Sequence, residues 1–113
     1  MKMQTKSKEE EAAQSTILRR ELSFSERLGL LAKTDVACLL KKDAEYGSSW
    51  KKRGGVGAFM MLARKIDRLE EQAKKNGWDI FSCIEKDQRP EGILDDIRDL
   101  RRYLLLVESE FVK

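Results

Sequence analysis

Pro90-Glu91-Gly92-Ile93-Leu94-Asp95-Asp96-Ile97-Arg98-Asp99-Leu100-Arg101-Arg102-Tyr103 is the stretch on which the fold turns. Ile93, Ile97, Leu100, Leu104, Val107 and Phe111 recur at steps of four and three, the period of a single helix face. Pro90 suits the first helical position, where its missing N–H costs nothing, and the acids behind it complement the helix dipole. The spacing therefore predicts a last helix that opens at Pro90. Glu91, Asp95 and Asp99 fall four apart and stack on one face of it, where like charges repel by roughly 0.2–0.5 kcal/mol per pair. Two readings of that row stay open. At about 100° per residue it lies nearly opposite the apolar stripe, which is the place of a solvated face. It is also a set of hard oxygen donors, and Mg²⁺ takes a few such oxygens together with substrate phosphates. Leu94 and Leu105 flank the row and Leu106 lies close to it, so the helix is not cleanly amphipathic and is expected to be covered on more than one side.

Upstream of that helix, Glu85 to Arg89 reads as a polar linker, and Asp79 is placed to cap a short helix carrying Ile80, Phe81, Cys83 and Ile84. A longer helix is predicted from about Val56 to Asn76, stopped by Gly77, with Phe59, Leu62, Ala63, Ile66, Leu69 and Ala73 facing a core. Lys65 and Arg68 share a different face of it, and two cations three apart are either a grip for a phosphate or plain solvated surface. Tyr46-Gly47-Ser48-Ser49-Trp50 breaks the chain before this helix, and Lys51 to Gly55 follows as a basic, flexible loop. Aromatic rings beside cations suit a base stacked on a ring with its phosphates nearby; Tyr46 and Trp50 equally suit plugging the core at a helix corner. Gly54-Gly55-Val56-Gly57 lacks the Gly-Lys-Ser/Thr of a Walker A loop. Another helix is predicted from about Glu26 to Glu45, with Leu28, Leu31, Ala32, Val36, Leu39 and Leu40 as its apolar face. Ser23-Phe24-Ser25-Glu26 has the form of a capping box at its start. Glu9 to Glu21 is predicted as a first helix with a thin apolar face, so that residues 1–24 read as an arm and 25–113 as a single all-α domain.

Composition agrees with helices and narrows the chemistry. The chain has 113 residues, 41% hydrophobic and 38% charged, with one proline, enough for one modest core. The net charge is +3 with both signs spread along the chain, which gives no electrostatic case for nucleic-acid binding. Histidine is absent, which removes His-based acid–base catalysis, Ser-His-Asp triads and His-ligated zinc. Cys38 and Cys83 lie far apart in apolar runs and read as buried free thiols. No apolar run approaches the roughly 18–20 residues of a membrane span and no signal-peptide core is seen, so a soluble intracellular protein is expected.

Three segments in order resemble one family. Lys42-Asp43-Ala44-Glu45-Tyr46-Gly47-Ser48-Ser49-Trp50 resembles its Lys-x-x-Asp-Tyr-Gly followed by Trp or Phe, and Lys65-Ile66-Asp67-Arg68-Leu69 resembles its Lys-x-x-Arg-Leu. Glu91 through Tyr103 resembles its Glu-Ser-x-x-Asp-Thr-x-x-Asp-Leu-x-x-Tyr, in register at Glu91, Asp95, Asp99, Leu100 and Tyr103. This is the phage-rich nucleotide modification associated domain 1 family, which is similar to the MazG-like all-α nucleotide pyrophosphohydrolases. The resemblance covers roughly residues 35–107. It implies a bundle of four to five helices forming a homodimer or homotetramer in a host cytoplasm. It also implies Mg²⁺ or Mn²⁺ on helix carboxylates, and a nucleoside triphosphate, with the deoxy form as the favoured case, cleaved to monophosphate and pyrophosphate by a metal-activated water. Carried over by position, Glu91, Asp95 and Asp99 are the catalytic and metal-binding acids, with Glu45 and Asp96 as further metal candidates. Lys42, Lys65 and Arg68 meet phosphates, and Tyr46 or Trp50 stacks on the base. The chain departs from the pattern in having no Glu-x-x-Glu in a plausible helix, Arg64 where Asp is frequent, Gly92 for Ser and Asp96 for Thr. The alternative expectation is accordingly a non-catalytic helical protein that binds or sequesters a nucleotide.

Overall fold

Ser23 starts the first described helix as its spacing to Glu26 predicts. The Glu26 N–H donates to Ser23 Oγ at 3.1 Å and the Ser23 N–H donates to Glu26 Oε1 at 2.8 Å, both halves of a capping box. The computed structural model describes residues 21–113. The helix expected over residues 9–21 lies, but for Glu21, outside the described residues. The fold is all-α: α1 is Phe24–Tyr46, a 3₁₀ turn is Ser49–Lys51, α2 is Gly54–Lys75, α3 is Ile80–Lys86 and α4 is Ile93–Ser109, with no strand among the described residues. The chain divides into two compact units, residues 1–34 and 35–113, and the boundary falls inside α1. In the first, Arg27 stacks 5.8 Å from the Phe24 ring and donates to the Leu22 carbonyl.

In the second unit α1 ends where Gly47 takes φ +58° and its N–H returns to the Asp43 carbonyl at 2.8 Å, a conformation that a side chain would strain. The expected flexible loop 51–55 is instead structured. Lys51 and Lys52 donate to Ser48 and Ser49 carbonyls, closing the 3₁₀ turn, and Gly54 and Gly55 already belong to α2. Asp79 caps α3 through its side chain, accepting from the Phe81 and Ser82 N–H groups.

The principal seam is α2 against α4; α3 packs on both, and the 3₁₀ turn packs on α2. The half-buried face of α2 runs Ala58, Met61, Leu62, Lys65, Leu69, Gln72 and Ala73, a helical stripe with a lysine in it. Phe59 and Ile66, expected to face the core, are exposed. Among the described residues the buried apolar side chains are Cys83 and Ile93, each 1% exposed, and the buried charged ones are Asp35 and Asp96, each 2%. Both cysteines are free; Cys83 is buried, Cys38 only half-buried. Leu28, Leu31, Val36, Leu40 and Leu104, also expected in the core, stay exposed. One chain has too few apolar partners to cover them, because charged residues take up part of each packed face.

Helix α4 opens three residues later than expected. Pro90 and Glu91 lie in the preceding turn, and Gly92 is the N-cap. The cause is Asp87. Its Oδ2 accepts the Ile93 N–H at 2.5 Å, while Asp95 Oδ2 accepts the Gly92 N–H at 3.1 Å. Two carboxylates thus satisfy the first orphan donors of the helix, and its start is fixed at Ile93. Gly92 is required by close approach: a Cβ there would lie 2.8 Å from Asp87 Cγ and nearer still to Oδ2. Phe111, at the far end of the predicted stripe, lies beyond α4 and is exposed.

Candidate functional site

The last turns of α1 carry Lys42 and Tyr46 to one wall of a cavity of about 390 Å³. The 3₁₀ turn that follows Gly47 places Trp50 beside them, Met61 comes from α2, and α4 supplies Asp99, Arg102 and Tyr103. The volume lies within the roughly 300–1,000 Å³ of small-molecule sites. Three rings, two cations and the carboxylates of Asp43 and Asp99 share the lining. Tyr46 is exposed and does not plug a core corner, while Trp50 is half-buried. The Lys51 ammonium lies 5.9 Å from the Trp50 ring centroid and pairs with Glu110. Of the sequence-predicted substrate residues, the cavity therefore brings together Lys42, Tyr46 and Trp50. Lys65 and Arg68 are not on its wall.

Those two cations face α4 instead. Arg68 Nε donates to Asp96 Oδ1 at 2.8 Å. Lys65 Nζ stands 3.7 Å from the same oxygen and 3.0 Å from Asp99 Oδ2. Of the acids expected opposite the apolar stripe only Asp99 meets a cation of α2; Asp96, outside that row, is the one buried in the α2–α4 seam, where a charge without a counter-charge would be costly. Asp96 Oδ2 is buried and has no hydrogen-bond partner among the described residues. Asp95 is occupied at the helix start by the Gly92 N–H and by Arg98 Nη1 at 2.9 Å. Glu91 is exposed in the turn ahead of α4, so the row of three acids on one helix face is a pair. Glu45 is exposed on α1. Among the described residues no group of three or more Cys, Asp or Glu side chains gathers in a way that could hold a metal ion. Asp95, Asp96 and Asp99 each face an arginine or a lysine.

A second ionic cluster adjoins the cavity and was not anticipated. Asp35, 2% exposed, accepts from Arg101 Nε at 2.6 Å, from Arg101 Nη2 at 2.7 Å and from Arg102 Nε at 2.8 Å. The Arg101 hydrogen bond, with lesser help from Arg102, outweighs burial and holds the Asp35 carboxyl below its usual pKa; the same contact raises Arg101. At the start of α4, a bidentate contact from Arg89 and the Ile93 N–H hold Asp87 far below the usual carboxylate range. Beside it lies a smaller cavity of about 230 Å³, lined in part by Arg89, Asp95 and Arg98. Its helix N-terminus already has an anion in Asp87.

The residues at the candidate site that sequence reasoning passed over are Arg102, Tyr103 and Asp35. Tyr103 appeared only as a point of register, and the Arg101-Arg102 pair only as part of the α4 stretch. No described helix is long and apolar enough to cross a membrane. Comparison with protein-family models, curated proteins and solved structures finds no match to the chain.

Proposed function

We propose that residues 35–113 form a nucleotide-binding helical module. The carrying observation is the cavity in which Tyr46, Trp50 and Tyr103 stand beside the cations Lys42 and Arg102. Rings offer a face to any base, worth about 1–3 kcal/mol per stacked base, and the cations offer charge to phosphates. Lys65 and Arg68 act here as internal counter-ions to Asp96 and Asp99 rather than as phosphate ligands. The exposed apolar residues on α2 and α4 support self-association of the chain, which light scattering after gel filtration tests; a strictly monomeric protein at tens of micromolar would refute that part.

Isothermal titration with nucleoside mono-, di- and triphosphates, with and without Mg²⁺, tests the binding. Trp50→Ala is expected to weaken it by about 5- to 150-fold, the equivalent of one stacked base. Wild-type protein that binds none of these nucleotides would sink the proposal. A second reading, metal-dependent conversion of a nucleoside triphosphate to monophosphate and pyrophosphate, is favoured by one observation. Among the described residues Asp96 Oδ2, a buried carboxylate oxygen next to Asp99, has no hydrogen-bond partner, as in a site that exchanges partners. Product analysis with Mg²⁺ or Mn²⁺ separates the two, since a pure binding protein returns the triphosphate intact.

A further inference from the structure

The two arginines at Asp35 are used unequally. Arg101 presents Nε and Nη2 to the carboxylate, a closed two-point fork. Arg102 reaches the same carboxylate through Nε alone, and its two terminal amino groups bond to none of the described residues. Arg102 lines the cavity, and its side chain is 16% exposed. Two guanidinium groups thus share one carboxylate, so the Asp35 cluster itself carries a net positive charge; the same lining also holds the carboxylates of Asp43 and Asp99, of which Asp99 is already paired with Lys65. Lys42, on the opposing α1 segment, makes no ion pair with a described residue and adds a second positive charge to the same space.

We propose that Arg102 is the anion fork of the cavity: Asp35 fixes its Nε, and its terminal amino groups receive two oxygens of a phosphoryl group, with Lys42 as a point charge beside it. Tethering at Nε orients the guanidinium plane before any ligand arrives, so little side-chain freedom is lost on binding. The excess charge of the Asp35 cluster is what the phosphate neutralises. Asp35 is then a positioning residue that touches no ligand. The inference deepens the nucleotide reading and rests on it for the base, but the anion half has a test of its own.

That test is calorimetric titration of the full chain with inorganic pyrophosphate alone, without divalent metal. A two-point charge-assisted contact contributes enough that its loss reads as about tenfold or more in Kd. Wild type is expected to bind pyrophosphate, Arg102→Gln to bind it at least tenfold more weakly, and Arg102→Lys to fall between them, since it keeps the charge and loses the fork. Arg102→Gln leaves the Arg101–Asp35 fork in place, and circular dichroism checks that its helices remain. Lys86→Gln, at an exposed position at the end of α3, removes the same formal charge away from the cavity and is expected to match wild type. A loss in Arg102→Gln of less than tenfold, an equal loss in Lys86→Gln, or no pyrophosphate binding by wild type overturns the proposal. The two readings fail separately. Arg102-dependent pyrophosphate binding with no gain from an attached nucleoside keeps the fork and removes the nucleotide. Nucleotide binding that needs Trp50 but not Arg102 does the reverse.

Discussion

Asp35→Asn is the most revealing single change. Asn keeps the shape and one acceptor oxygen but removes the charge that two guanidinium groups share. Removing one partner of a buried ion pair costs about 3–5 kcal/mol, because the charge left behind has no counter-ion. The arginine side chains are 31% and 16% exposed, so water relieves part of that penalty, and the lower end, about 3 kcal/mol, applies. For a unit of this size each kcal/mol lowers Tm by about 4–8 °C, so a fall of about 12–24 °C is expected. Thermal and urea melts followed by circular dichroism measure it, at one fixed protein concentration so that self-association is constant. Replacing Asp35, Arg101 and Arg102 together by Leu, Met and Met should restore most of the stability, since a buried ionic cluster is often no better than an apolar one of like volume. It should not restore anion binding. An Asp35→Asn protein within about 0.5 kcal/mol of wild type would refute the reasoning, because it would mean that the carboxylate is hydrated in solution and the middle of α1 is not held to α4.

Three further outcomes follow from the same contacts. Asp35 and Asp87 both have depressed carboxyl pKa values in the fold, so their stabilisation is complete above the ordinary value of about 3.9 and is lost as pH falls below it; urea midpoints should be level from pH 7 to about pH 5 and drop steeply below pH 4, less steeply in Asp35→Asn. Gly92→Ala is expected to cost about 1–3 kcal/mol by pushing Asp87 off the Ile93 N–H, its φ of −105° being open to any residue; added to Asp87→Ala it should cost far less, and equal costs in both backgrounds would dismiss the clash. Lys65→Met withdraws the ammonium between Asp96 and Asp99, so Mn²⁺ should raise the Tm of the variant and leave that of wild type unchanged; a metal-indifferent variant would show that the two acids do not converge even when released.

Helix ends were the legible part of this chain, because their chemistry is local. Ser23 with Glu26, Asp79, Gly47 and Gly77 each act within a few residues of themselves, and each does what its spacing predicts. The start of α4 was less so. Pro90 is a sound first-turn residue, but a carboxylate six residues ahead of Ile93 takes the orphan N–H instead, and the choice between them is made by Gly92, whose missing side chain admits Asp87. The shift moved Glu91 off the helix and with it a third of the supposed acidic row. Lys65 and Arg68 were assigned to a ligand because the acids they meet lie 28 or more residues away, a distance at which residue spacing carries no information.

Asp35 did leave a trace. It lies four residues after Leu31 and four before Leu39, on the apolar face of α1, where an unpaired carboxylate would be intolerable. A charge at a core position implies a buried counter-charge, and Arg101-Arg102, on a helix otherwise rich in leucine, is the place to look for one. The same logic reaches the candidate site. A helical unit this small gains little from apolar burial, so its specificity of packing comes from two buried aspartates, each answered by two cations. At Asp96 both cations crowd one oxygen and leave the other bare, while at Asp35 both oxygens are used and it is an arginine that is left with open donors. Unfilled valence on the acid side lies in the seam between helices; unfilled valence on the basic side opens onto the cavity. On the reading proposed above, that asymmetry puts the phosphate at Arg102, where open donors meet the cavity, and not in the seam at Asp96.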